Sequence, residues 1–85
     1  MSYRIEWTED ALSDLHNLEG MIVKRILKKF AWFSRYFDDI TPEPLSGDMS
    51  GLFKLRVGDW RIIYSLESNK IVIHSVGHRR DIYKF

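Results

Sequence analysis

The stretch from Gly51 to Tyr64, GLFKLRVGDWRIIY, leaves a chain of this size few ways to fold. Two runs of alternating apolar and polar residues flank Gly58-Asp59. A Gly-Asp pair between such runs suits a two-residue type I′ or II′ turn, because glycine takes φ > 0 without strain. The turn predicts a β-hairpin in which Val57 lies opposite Trp60 and Arg56 opposite Arg61. Side chains alternate across a strand, so Phe53, Leu55, Val57, Trp60, Ile62 and Tyr64 share one face, and Lys54, Arg56 and Arg61 the other. Like charges directly opposite each other destabilise a hairpin. Two arginines in register are thus a cost to folding that a bound anion, such as phosphate, would offset.

The 85 residues allow one small domain over residues 1–85, and 12 aromatic side chains (three Trp, four Tyr, five Phe) supply material for a real core. With no cysteine, neither disulfides nor thiolate metal sites can hold it together. No apolar run approaches membrane-spanning length and no leader pattern opens the chain, so a cytoplasmic protein is expected. The net charge of +1 hides an asymmetry. Residues 1–50 carry six Lys/Arg against nine Asp/Glu, whereas residues 51–85 carry seven against three. A basic C-terminal part fits a surface that meets nucleic acid; it also fits a solvated basic edge that discourages strand aggregation.

Tyr3 to Trp7 alternates and reads as a first strand. Thr8 is placed to cap a helix, with Glu9 and Asp10 in its first turn, and Ala11, Leu12, Leu15 and Leu18 recur at helical spacing to about Leu18. Gly20 is expected to stop it. His16 lies off the stripe, as a solvated residue does. A second helix is predicted from about Met21 to Tyr36, burying Val23, Ile26, Leu27, Phe30 and Phe33, with Phe37 continuing the stripe. Arg25, Lys28, Lys29, Trp32 and Tyr36 lie around its other side, a face that suits RNA or a partner helix and equally an ordinary exposed surface. The short Glu19-Gly20 connection predicts a helical hairpin. Residues 37–51, with both prolines, read as a loop. After a tight connection at Glu67–Lys70, a last strand is expected over Ile71–Val76. Pairing Leu66 with Ile71 would put His74 and Val76 on the basic face, opposite Ile63 and Arg61, with His78 continuing that alternation.

The amphipathic helices need a sheet face to cover, which leaves Lys54, Arg56 and Arg61 on the open one. With His74, His78, Arg79, Arg80 and Tyr83 they form the candidate constellation. The three histidines lack metal-site spacing, no glycine-rich phosphate loop sits between strand and helix, and neither a Ser/His nucleophile pair nor paired carboxylates are signalled. No metal or cofactor is expected. Cations, imidazoles and a phenol suffice to cleave RNA, since the substrate's own 2′-OH serves as nucleophile. The protein then activates that hydroxyl, stabilises a phosphorane with arginine forks, and protonates the leaving 5′-oxygen. Passive nucleic-acid binding uses the same residue types.

The order Pro44-Leu45-Ser46-Gly47, then the hairpin from Gly51 to Tyr64, then Val76-Gly77-His78-Arg79-Arg80-Asp81-Ile82-Tyr83, resembles the RelE/ParE toxin superfamily over essentially the whole chain. The resemblance implies an α+β fold, one strand and a helical hairpin packed on a small, mainly antiparallel sheet in the order β-α-α-β-β-β. It implies the toxin of a type II toxin–antitoxin system, with a cognate antitoxin as partner and a monomeric free toxin. RelE-like members are metal-independent mRNA interferases acting in the ribosomal A site, so ribosome and mRNA become expected partners. ParE-like members share the fold but poison DNA gyrase, and a non-catalytic toxin-like binding protein is a third possibility. On the RelE pattern, Lys54 would help activate the 2′-OH, Arg61 and Arg79 would stabilise the phosphate, Tyr83 would stack on the substrate, and His78 would share acid–base work. Arg56, Arg80, Lys28 and Lys29 would contact RNA. Leu52 stands where some relatives carry a second lysine.

Overall fold

The computed structural model describes residues 3–45 and 51–81. Strand β1 (Arg4–Trp7) ends at Thr8, whose Oγ1 accepts the Ala11 N–H at 3.1 Å and caps α1 (Glu9–His16). Helix α1 stops two residues before Leu18, where the Asn17 N–H turns back to the Asp14 carbonyl and the Leu18 N–H to that of Leu15. Gly20 does not serve as a left-handed stop. It is the first residue of α2 (Gly20–Arg35) and takes no positive φ. Of the segment read as a loop, residues 37–45 are described and carry regular structure: Phe37–Asp39 form a 3₁₀ turn, and β2 (Glu43–Pro44) pairs antiparallel with β3 (Phe53–Val57). Proline lacks a donor and is tolerated there because β2 is an edge strand. With β4 (Trp60–Glu67) and β5 (Lys70–His78) the sheet runs β1-β5-β4-β3-β2, parallel only between β1 and β5. The fold is α+β, with one strand more than expected.

Hairpin register follows the turn. Val57 pairs with Trp60 and Arg56 with Arg61. Gly58 has φ +61° and Asp59 no positive φ, the pattern of a type II′ turn. The β4–β5 turn repeats it with Ser68 at φ +52°.

Beyond the expected Leu66–Ile71 pair, the register of β5 departs from a straight ladder. Ile73 pairs with Tyr64 but Ser75 with Ile63, so His74 is an inserted residue, a β-bulge. The insertion turns Val76 to the helix-covered face, opposite Ile62, and His78 to the same side, opposite Trp60. The expected placement of Val76 and His78 on the basic face is therefore wrong. The cause is the change of neighbour along β5. β1 pairs with it only as far as Ile73, after which α1 lies alongside. Thr8 Oγ1 donates to the His74 carbonyl at 3.4 Å, and Asp14 Oδ2 accepts the Val76 N–H at 2.9 Å. A helix has no strand ladder to offer, and these two side chains satisfy the backbone groups it leaves over.

The core lies between α2 and the Ile62/Tyr64/Ile71/Ile73 face. Ile26, Phe30 and Phe33 of α2 are at most 1% exposed, and burying each such side chain contributes about 1.5–3 kcal/mol. Phe33 is edge-on to Phe30, Phe37 and Tyr64, and Tyr64 stacks on Phe53. Tyr3 and Ser34 exchange backbone and hydroxyl hydrogen bonds, tying β1 to the end of α2. Among the described residues no helix is long and apolar enough to cross a membrane.

Two outcomes test this packing. An added Cβ on Gly58 would stand 3.0 Å from Arg25 Nη2 at a positive φ, so Gly58→Ala should lower unfolding free energy by about 1–2 kcal/mol in urea titrations. Burial, and then the Glu43 carboxylate, push the Tyr64 phenol from its usual 10.0 up to about 12. A group raised in the folded state keeps its proton after the unfolded chain has lost it, so this contribution is complete below pH 10.0 and is lost as pH rises towards about 12. The urea midpoint of the wild type should fall across that window, and the fall should be visibly flatter in Tyr64→Phe.

Candidate functional site

Strand pairing arranges the open face in rows. Glu43, Lys54, Ile63 and Ser75 lie across one row, and Arg56, Arg61 and Gly77 across the next. Lys54 and Arg61 are diagonal neighbours across the β3–β4 pair, a separation of about 7–8 Å between backbones. Lys54, Arg56 and Arg61 thus share a face as the alternation predicts.

The two arginines in register are separated by what each finds nearby. Arg56 Nη2 lies 3.0 Å from Glu43 Oε1, and Lys54 Nζ lies 3.6 Å from the same oxygen. Arg61 bends the other way, Nη1 donating to the carbonyls of Gly58 at 2.7 Å and Trp60 at 3.0 Å. Its repulsion with Arg56 is relieved, and its guanidinium is held at the tip of the hairpin.

Arg79 arrives at the same tip. Its N–H donates to the Asp59 carbonyl at 2.8 Å, and its Nε is 3.8 Å from Asp59 Oδ1. Arg25 of α2 approaches Gly58 from the helix side. His78 is on that side too, edge-on to Trp60 at 5.5 Å, with Nδ1 accepting the Arg80 N–H at 3.2 Å. That bond assigns the proton of a neutral ring to Nε2. Arg80 is exposed just past the strand. Lys28 is exposed on α2, and Lys29 covers the Trp32 ring while also lining a pocket at the sheet edge with Glu43, Lys54 and Arg56. Tyr83 lies outside the described residues.

The expected constellation is thus two neighbouring groups, Lys54–Arg56–Glu43 at the sheet edge and Arg61–Arg79 at the hairpin tip, with His78 around the corner. Sequence reasoning missed Glu43, because nothing in Thr41-Pro42-Glu43-Pro44 announces a strand. It also missed the approach of Arg25 to the tip, which depends on how α2 crosses the sheet. The bulge brings out another feature on the open face. His74 and Ser75 line a cleft of ≈ 580 Å³ with Thr8, Asp14, Leu52 and Ile63, and His74 Nε2 is 2.7 Å from Ser65 Oγ. Leu52 packs on Leu45 and Ile63. No group of His, Asp and Glu among the described residues could hold a metal ion.

A family model, the ParE toxin of the type II toxin-antitoxin system parDE, matches residues 5–83. The toxin–antitoxin complex RelBE2 from Mycobacterium tuberculosis contains a chain of similar structure. The identity is 29%, the match covers 93% of this chain and 100% of that one, and the TM-score is 0.81. The archaeal RelE–RelB complex from Pyrococcus horikoshii OT3 gives 24% identity, 95% and 99% coverage and a TM-score of 0.72. The chromosomal ParDE system from P. aeruginosa gives 15%, 91%, 96% and 0.71. At the last two identities the likeness is one of fold. No curated protein sequence matches significantly.

Proposed function

Because the chain belongs to the family of ParE toxins of type II toxin–antitoxin systems, we propose that it is an antitoxin-controlled endoribonuclease of the RelE kind that cuts mRNA in the ribosomal A site and so stops translation. The observation that carries this reading is the union on one sheet face of a proton acceptor with cations. Glu43 touches both Lys54 and Arg56, and Arg61 stands diagonal to Lys54. In a protein that only binds its target, Glu43 would serve just to draw Arg56 away from Arg61.

In this reading an RNA phosphodiester lies across the two rows. The 2′-OH sits between Glu43 and Lys54, gives its proton to the carboxylate, and has its developing oxyanion steadied by the ammonium group. The 2′-oxygen bonds to phosphorus, and the bond from phosphorus to the 5′-oxygen breaks. Arg61 and Arg79 face the phosphorane oxygens from the hairpin tip, where forked donors match them. Arg61 is held by backbone carbonyls and is already aimed. The leaving 5′-oxygen takes a proton from the imidazolium form of His78, whose ring turns in from the helix side of the tip and releases the Arg80 N–H as it does so. Tyr83 supplies a stacking ring, and Arg56 and Arg80 bind flanking phosphates. The products are a 2′,3′-cyclic phosphate and a 5′-hydroxyl, and the step needs neither metal nor cofactor. A cognate antitoxin, as in the RelB–RelE complexes of similar structure, keeps the cytoplasmic toxin silent.

Toeprinting on translating ribosomes tests the proposal. Wild-type protein should create new 3′ ends within A-site codons, and Arg61→Ala should reduce their yield by about 10²-fold or more, the cost of removing a donor to the transition-state oxyanion. Intact mRNA together with blocked gyrase supercoiling would instead make the chain a ParE-type poison.

A further inference from the structure

Among the described residues the outward side of α2 carries a feature that the cleavage chemistry does not use. Arg25, Lys28, Lys29 and Trp32 line, with Val57 of the hairpin, a shallow depression of ≈ 450 Å³ that contains no carboxylate. Trp32 is 46% exposed and Tyr36, one turn on, 45% exposed, although rings of this size usually find cover. Lys29 Nζ lies 4.3 Å from the Trp32 ring centroid and Arg35 Cζ 5.9 Å from that of Tyr36. The two rings are 6.0 Å apart and tilted by 45°, so they form two successive platforms rather than one stack.

We infer that this face of α2 is a second binding site, for a single-stranded stretch of RNA next to the one that is cut. Bases stack on Trp32 and then Tyr36, while Arg25 and Lys28 neutralise the phosphates between that stretch and the hairpin. Exposed aromatics interleaved with cations are how proteins hold single strands without reading sequence, since every base has a π-face. An apolar partner would leave the cations of the depression unpaired, and an acidic helix would make no use of two tilted rings. Position supplies the second argument. Arg25 reaches the helix side of Gly58 while Arg61 is bonded to the Gly58 carbonyl from the open face. The hairpin tip is therefore the point where a strand leaving the Arg61–Arg79 site passes to α2, with the Arg61 and Arg25 guanidinium groups on its two sides. The inference rests on the proposal that the target is RNA, and gives α2 a part in holding it.

The test uses a fluorescein-labelled single-stranded RNA with 2′-O-methyl riboses, which can bind but not be cut, and reads anisotropy against the whole chain. Trp32→Ala should weaken binding about tenfold, the loss of one stacked base, and Trp32→Phe should recover most of it. Lys28→Gln should reduce the slope of log affinity against log salt by about 0.7, one single-strand phosphate. Thermal unfolding should be unchanged in all three. Wild-type affinity in Trp32→Ala, with A-site cleavage still dependent on Arg61, overturns the second site and leaves the cleavage proposal standing. Absence of any RNA binding by the wild type overturns both. A Trp32→Ala effect on antitoxin affinity alone would make the face a protein-docking surface and overturn the inference.

Discussion

The type II′ turn at Gly58-Asp59 is the constraint on which the other features depend. Its positive φ at Gly58 sets Val57 against Trp60, and that one pairing decides which side chains of β3 and β4 enter the core. A slip of one residue would expose Leu55, Ile62 and Tyr64 and bury Lys54, Arg56 and Arg61. The same turn presents the Gly58 and Trp60 carbonyls that hold Arg61, the Asp59 groups that receive Arg79, and the side-chain-free spot that Arg25 fills. Folding and function thus meet in two residues. A substitution there would disturb the register, the arginine positions and the route between the two faces at once.

Electrostatics explains why the chain tolerates Arg56 opposite Arg61. Each guanidinium is drawn away from the other, one to the Glu43 carboxylate and one to backbone dipoles. These contacts are largely solvent-exposed, where ion pairs contribute little to stability, about 0–1 kcal/mol. They do fix direction. A weak pair that orients a cation is easily exchanged for a phosphate, which binds the same fork better. The arrangement is stable without ligand and remains open to one.

How much of this was legible in the sequence depends on distance along the chain. The hairpin turn, its register and its two faces are local, and Gly58 between alternating runs announced them. The Thr8 cap was local too, as was the apolar stripe of α2, except that Leu27, expected in it, lies exposed. What could not be read was tertiary. The bulge at His74 exists because β5 trades β1 for α1 as its neighbour, and Asp14 meets the Val76 N–H 62 residues away in sequence. One inserted residue then carried Val76 and His78 to the opposite face. Glu43 was hidden in a segment that reads as loop, since its two-residue strand makes sense only beside β3. Lys54, Arg56 and Arg61 were found as a group from alternation alone, whereas their carboxylate partner required the fold.

In the proposed mechanism, Glu43, Lys54 and the arginines turn RNA's own 2′-hydroxyl against its neighbouring phosphate. Chemical mapping of RNA ends produced in a translating extract tests it most directly. Wild type should form 5′-hydroxyl fragments paired with 2′,3′-cyclic phosphate ends, and Glu43→Gln should strongly reduce them. Fragments carrying 5′-phosphates and 3′-hydroxyls, or undiminished cyclic-phosphate ends in Glu43→Gln, would contradict it.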